Sequence, residues 1–215
     1  MNPASKAWYN HILTGGDRHV TLLAEIYLFH IKKGPNMKTN TINGLMFMIA
    51  GLTPFVVYLG LGPDGTALLS AARTEQLFAY LFFSFPIAVM MTRKIESNYL
   101  TDAGLLILVA SSSMGMVADA LGADAELSQM SDAVSITAYS SVMLGALLYG
   151  LGAFQTSIFP KWLSGLFAVV AGAAFIVLAI SEPIDLDTNA AIIPFFLVFH
   201  LLMIVLGIFM IRRSA

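Results

Sequence analysis

The residues best able to do chemistry in this chain are polar side chains set among long apolar runs. His200 stands in Phe199-His200-Leu201, midway along an apolar stretch, and is the only histidine at such a depth. An imidazole there serves as a proton relay, a cofactor ligand or a substrate contact, or it stays neutral and hydrogen-bonds a neighbouring helix. Ser111, Ser112 and Asp119 fall in a second run, and Thr137, Tyr139 and Ser141 in a third. Polar groups are costly inside a membrane, so these seven residues form the candidate site. They would line a polar cavity shared by three helices. Small residues also recur at every fourth position: Ser111, Gly115 and Asp119; Thr137, Ser141 and Gly145; Ser164, Ala168 and Gly172. Such stripes let helix backbones approach closely, a packing role compatible with a cavity.

Other chemistries lack their residues. The chain has no cysteine, so disulfides, thiolate metal sites and cysteine nucleophiles are excluded. None of the lysines stands mid-membrane, as a retinal pigment requires, and one deep histidine cannot supply the paired ligands of a transmembrane b-type haem. His-Glu-x-x-His, Gly-x-Gly-Asp and Gly-x-x-x-x-Gly-Lys-Ser/Thr are all absent, which removes a zincin, an intramembrane aspartyl pair and a P-loop pump. A serine nucleophile with His200 as its base stays open, with no motif in its support. The expectation is therefore no catalytic residue, no metal and no cofactor, and a reading that leans away from an enzyme.

The elements that must position these residues follow from composition. Of 215 residues, 58% are hydrophobic and 11% charged, with mean hydropathy +0.80 and net charge −2. A soluble domain carries about 25% charged residues. The balance excludes an ordinary soluble domain, a disordered chain and a nucleic-acid binder with its basic stripe. A helix needs about 20 apolar residues to cross the hydrocarbon core. Six stretches meet that test: 41–61, 76–92, 100–120, 133–154, 162–181 and 190–211. The expected fold is an all-α membrane bundle of six transmembrane helices, because lipid leaves backbone groups no outside partner. Pro54 and Pro86 should bend the first two spans.

Lys and Arg set the orientation. Lys6, Arg18, Lys32, Lys33, Lys38, Arg93, Lys94, Lys161, Arg212 and Arg213 fall on one side, and only Arg73 on the other. Both termini are thus expected in the cytoplasm. The polar start, Met1 to Lys6, is not expected to be a cleaved leader. Residues 1–40 form a cytoplasmic segment and 41–215 the membrane domain. Within the first, 17–33 reads as an amphipathic helix, opened by Asp17 after Gly15-Gly16 and closed by Gly34-Pro35. It would lie on the lipid surface or dock a partner protein. His11, His19 and His30 cluster there, but His19 and His30 stand about three turns apart on a helix, so they read as interfacial rather than metal-binding.

Leu148-Tyr149-Gly150, then Ile158-Phe159-Pro160-Lys161-Trp162-Leu163-Ser164, then Gly165 and Gly172 form a distinctive stretch. It resembles a bacterial family of multi-pass membrane proteins known as domain of unknown function 4386. The last span is similar in style, with Pro194 early, His200 central and Leu206-Gly207-Ile208 near its end. The resemblance covers the last 80 residues or so, and implies a bacterial inner-membrane protein of about six spans. It implies no activity and carries over no site residue. Pro160, Lys161 and Trp162 also have a local account: helix start, positive-side charge and headgroup anchor. The leading functional expectation is a non-enzymatic membrane protein that binds a partner protein or a small apolar ligand. The alternative is a small-molecule or proton-coupled transporter using the polar cavity.

Overall fold

A segment in lipid must satisfy its backbone N–H and C=O groups internally, and this chain does so with helices. The computed structural model describes residues 39–63, 65–122, 125–180 and 192–213. The chain divides into two units, Met1–Met37 and Lys38–Ala215, and every described residue belongs to the second. The expected helix at 17–33, with His11, His19 and His30, lies outside the described residues. Seven α-helices are described: α1 (Thr39–Val56), α2 (Ala71–Phe82), α3 (Ser84–Thr92), α4 (Tyr99–Gly122), α5 (Ser128–Gln155), α6 (Lys161–Ile180) and α7 (Ile192–Arg212).

They make six segments long and apolar enough to cross a membrane: Thr39–Leu61, Ala71–Thr92, Tyr99–Gly122, Gln129–Gln155, Lys161–Ile180 and Ile192–Arg212. The outward face of the bundle is itself apolar, with Leu106 72% and Val169 68% exposed. Soluble monomers rarely expose large contiguous apolar patches, so the surface points to a multi-pass membrane protein. Each span packs on its neighbours in sequence, and the first closes on the last. The contacts run α1 to α7, α7 to α6, α6 to α5, α5 to α4, α4 to α2, and α3 back to α1.

Between helices in lipid, close packing replaces the hydrophobic effect as the source of association. The tightest approaches are glycine crossings. A Cβ added at Gly44 would stand 2.5 Å from the Gly207 carbonyl oxygen, and one at Gly104 would stand 2.7 Å from that of Gly145. The middle of the bundle is filled with rings. Phe47, Phe85 and Phe199 are fully buried; Phe85 meets Phe199 edge-on at 5.8 Å, and Phe167 stacks on Phe199 at 5.2 Å. Such pairs add about 0.5–1.5 kcal/mol each beyond burial.

Both inner prolines disturb their spans. Pro54 cannot donate to the carbonyl four residues back, and α1 passes into a π-helical turn at Val57–Leu61, where the Gly62 N–H donates to the Val57 carbonyl at 2.7 Å. Pro86 likewise leaves the Phe82 carbonyl without its helical donor. The second span breaks at Phe83 into α2 and α3, and the Ser84 hydroxyl donates to the Leu81 carbonyl at 2.6 Å. Every expected helix start shifts by one to five residues, most at the second span and at the fourth, which begins at Gln129 rather than 133. The second span begins at Ala71 rather than 76, because Ser70 caps it by accepting from the Arg73 N–H. The fifth begins at Lys161, which makes Pro160 its cap: the Pro160 carbonyl accepts from Leu163 and Ser164 at 3.0 and 3.1 Å.

Candidate functional site

The early start of α2 brings Glu75 into the bundle. One helical turn further along, Phe78 faces inward, and Phe82 follows after another turn. Across from Glu75, the π-helical turn after Pro54 presents Tyr58, whose hydroxyl donates to Glu75 Oε2 at 2.6 Å. From α4 comes Asp119, 9% exposed, and from α5 comes Tyr139, half-buried. Glu75 lies within electrostatic reach of Asp119, and Tyr58 within reach of Tyr139, Glu75 and Asp119. Four spans therefore deliver two carboxylates and two phenols to one neighbourhood.

Beside this group is a cavity of about 20 Å³ between the second, third and fourth spans. It is lined by Phe78, Phe82, Ser111, Ser112, Asp119 and Tyr139 among others. That is room for about one water molecule, far below the roughly 300–1,000 Å³ of a typical small-molecule pocket. Ser111 turns its hydroxyl back on the Ile107 carbonyl at 2.7 Å. Ser112 Oγ, buried on the cavity wall, has no hydrogen-bond partner among the described residues. An unpaired buried hydroxyl is itself costly, and a water in the cavity would satisfy it.

The seven residues expected to share a cavity divide into two sets. Ser111, Ser112, Asp119 and Tyr139 line it. Thr137 points outward, exposed, with its hydroxyl on the Ala133 carbonyl at 3.3 Å. Ser141 is half-buried and outside the lining. His200 is fully buried, also outside the lining, within a box of aromatic rings. Phe196 lies 4.1 Å from it by ring centroid, and Phe82, Phe78 and Phe199 lie 5.6–6.4 Å away. Its Nδ1 pairs with the Phe196 carbonyl at 2.8 Å, and its Nε2 has no hydrogen-bond partner among the described residues. Phe78 and Phe82 touch both places: they line the cavity and pack on His200. The cavity thus belongs to spans two, three and four, not to three, four and six. The reason is α2, whose two phenylalanines fill the space between.

Tyr58 and Glu75 were missed by sequence reasoning. Glu75 fell one residue outside the expected span, and the Ser70 cap was the signal that could have extended it. Tyr58 needed the π-helical winding after Pro54; the proline announces a disturbance, but not its form. Gly115 lines the cavity and meets no neighbour within 4 Å of an added Cβ, so its place in a small-residue stripe reflects open space rather than a helix crossing.

No group of three or more His, Cys, Asp or Glu side chains gathers to hold a metal among the described residues. Comparison of the chain with family models, with curated proteins and with solved structures finds no match.

Proposed function

We propose that this chain is a six-span protein of a bacterial inner membrane that transfers protons, the proton-handling part of a small carrier. Asp119 and Glu75 form its proton site. The observation that carries this reading is the Tyr58–Glu75 hydrogen bond lying within electrostatic reach of Asp119, which lines a water-sized cavity with Tyr139. Acids inside a membrane are costly, and they characteristically mark ion or proton pathways. The chemistry is a proton taken up at Asp119 under the field of Glu75, with Tyr58 donating to Glu75 and a water on Ser112 leading out along α4. The break at Phe83 supports the reading, because interrupted helices border the sites of many carriers. It adjoins Phe82, one of the two rings that touch both the cavity and His200.

The cytoplasmic placement of both termini remains part of the proposal and rests on the ten basic residues expected on that side. The likeness to the 4386 family belongs to the same proposal. A partner-binding role for 17–33 rests on residues outside those described, and the cavity beside Asp119 is too small for an apolar ligand. The carrier reading therefore takes precedence.

The test is proton flux into proteoliposomes under an imposed pH gradient. Wild-type vesicles should acidify faster than empty ones, and Asp119→Asn and Glu75→Gln should each return the rate to that of empty vesicles while keeping helical content. Wild-type vesicles no faster than empty ones would overturn the reading.

A further inference from the structure

The end of the bundle remote from Asp119 carries a second concavity. It has a volume of about 630 Å³ and lies between the α5–α6 turn and the last turn of α7. Its wall includes Ser157, Phe159, Lys161, Phe209, Arg212 and Arg213. Three of these six are cationic. Arg213 is fixed in place: its Nη1 donates to the carbonyls of Ser157 and Ile158, each at 2.9 Å. Glu96 holds the same turn from the other side. It accepts from the Ser157 N–H and hydroxyl, each at 2.8 Å, and offsets part of the Arg213 charge. Lys161 and Arg212 are exposed and form no ion pair among the described residues. Beside them Trp162, 61% exposed, meets Phe209 edge-on at 6.2 Å.

These features fit one ligand chemistry. Two cations without an ion pair (one, Lys161, 6.0 Å over the Phe154 ring) and a fixed guanidinium suit a phosphate, since Arg and Lys are its usual ligands. An exposed indole beside them marks the headgroup level of a bilayer. Basic pockets between transmembrane helices seat anionic headgroups by the same physics. We propose that this groove binds the phosphate of an anionic glycerophospholipid, with Lys161 and Arg212 contacting it and Arg213 closing one corner. The site is independent of the proton site, which lies at the other end of the spans.

Trp162 gives the readout. The chain has two tryptophans, so Trp8→Phe in the full-length protein leaves Trp162 as the only one. In vesicles of phosphatidylcholine, brominated phosphatidylglycerol should quench Trp162 at a several-fold lower mole fraction than brominated phosphatidylcholine. Lys161→Gln and Arg212→Gln should each lower that preference by about fivefold, the effect of one basic residue near an anionic surface. Lys94→Gln, at the same end but outside the groove, should leave it unchanged, and unfolding temperatures should confirm that all variants fold. Equal quenching by the two lipids, or a preference that survives loss of both cations, would overturn the proposal. So would a preference abolished by millimolar inorganic phosphate, which would reassign the groove to a free anion.

Discussion

Asn98 shows how much one polar side chain settles at the membrane boundary. Its Oδ1 accepts from the N–H groups of Leu100 and Thr101 at 3.1 and 3.0 Å, which caps α4, and its Nδ2 donates to the Gly152 carbonyl on α5 at 3.0 Å. Asn98→Ala should therefore cost about 1–2 kcal/mol, at the upper range of a lost cap, seen as a lower unfolding temperature in detergent. Two residues earlier, the Ser157 backbone N–H and hydroxyl hold the Glu96 carboxyl below its usual range. A depressed folded pKa contributes stability above the ordinary carboxylate pKa, and that contribution is lost as pH falls through the folded value. Thermal unfolding should show a small acid-side loss that Glu96→Gln removes; an unchanged acid limb in that variant would count against the link. Asp102 pairs with Arg93 at 2.9 Å, and such exposed pairs contribute little. Side-chain chemistry at this scale was legible where a residue acts on its own helix or next loop. It was not legible for Tyr58 and Glu75, which meet from different spans.

At the scale of elements, hydropathy marks every described span to within a few residues, because a lipid-crossing helix has one dominant requirement. Packing partners are a different matter. The stripe Thr137, Ser141, Gly145 marks a real crossing at Gly145, whereas Gly115 in an equivalent pattern faces a cavity. Spacing alone cannot separate these, since both need a small residue. The two glycines therefore give opposed predictions. Gly104→Ala forces a methyl against the Gly145 carbonyl and the Tyr149 backbone and should destabilise by about 1–3 kcal/mol, the usual range for overpacking. Gly115→Ala enters open space and should be neutral or stabilising by up to about 1 kcal/mol through helix propensity. Unfolding midpoints of the two variants, measured side by side in one detergent, check the pair. Equal losses would mean that the α4–α5 interface is not where the glycines place it. The break at Phe83 was only partly legible: Pro86 announces a disturbance, but not that it separates two helices beside the cavity.

For the whole molecule, the six spans close into a ring in which α1 packs on α7, so the start of the first span and the end of the last lie at one end. The chain's lack of cysteine makes the sidedness of that ring directly measurable. With a membrane-impermeant thiol reagent, Lys94→Cys should label only after the inner face is opened, and Arg73→Cys should label in intact cells; the reverse pattern would invert the proposed topology. The two polar sites then face opposite surfaces, a basic groove at one end and an acidic, water-sized cavity toward the other. The central claim concerns that cavity: that Asp119 takes up and releases a proton within the bundle. Infrared difference spectra between neutral and acid pH, recorded on the protein in lipid, test it most directly. Among the protonated-carboxyl bands, one that the wild type shows should be missing in Asp119→Asn, with the Glu75→Gln variant shifting that band rather than removing it. Carboxyl bands that are the same in the wild type and in Asp119→Asn would contradict the account.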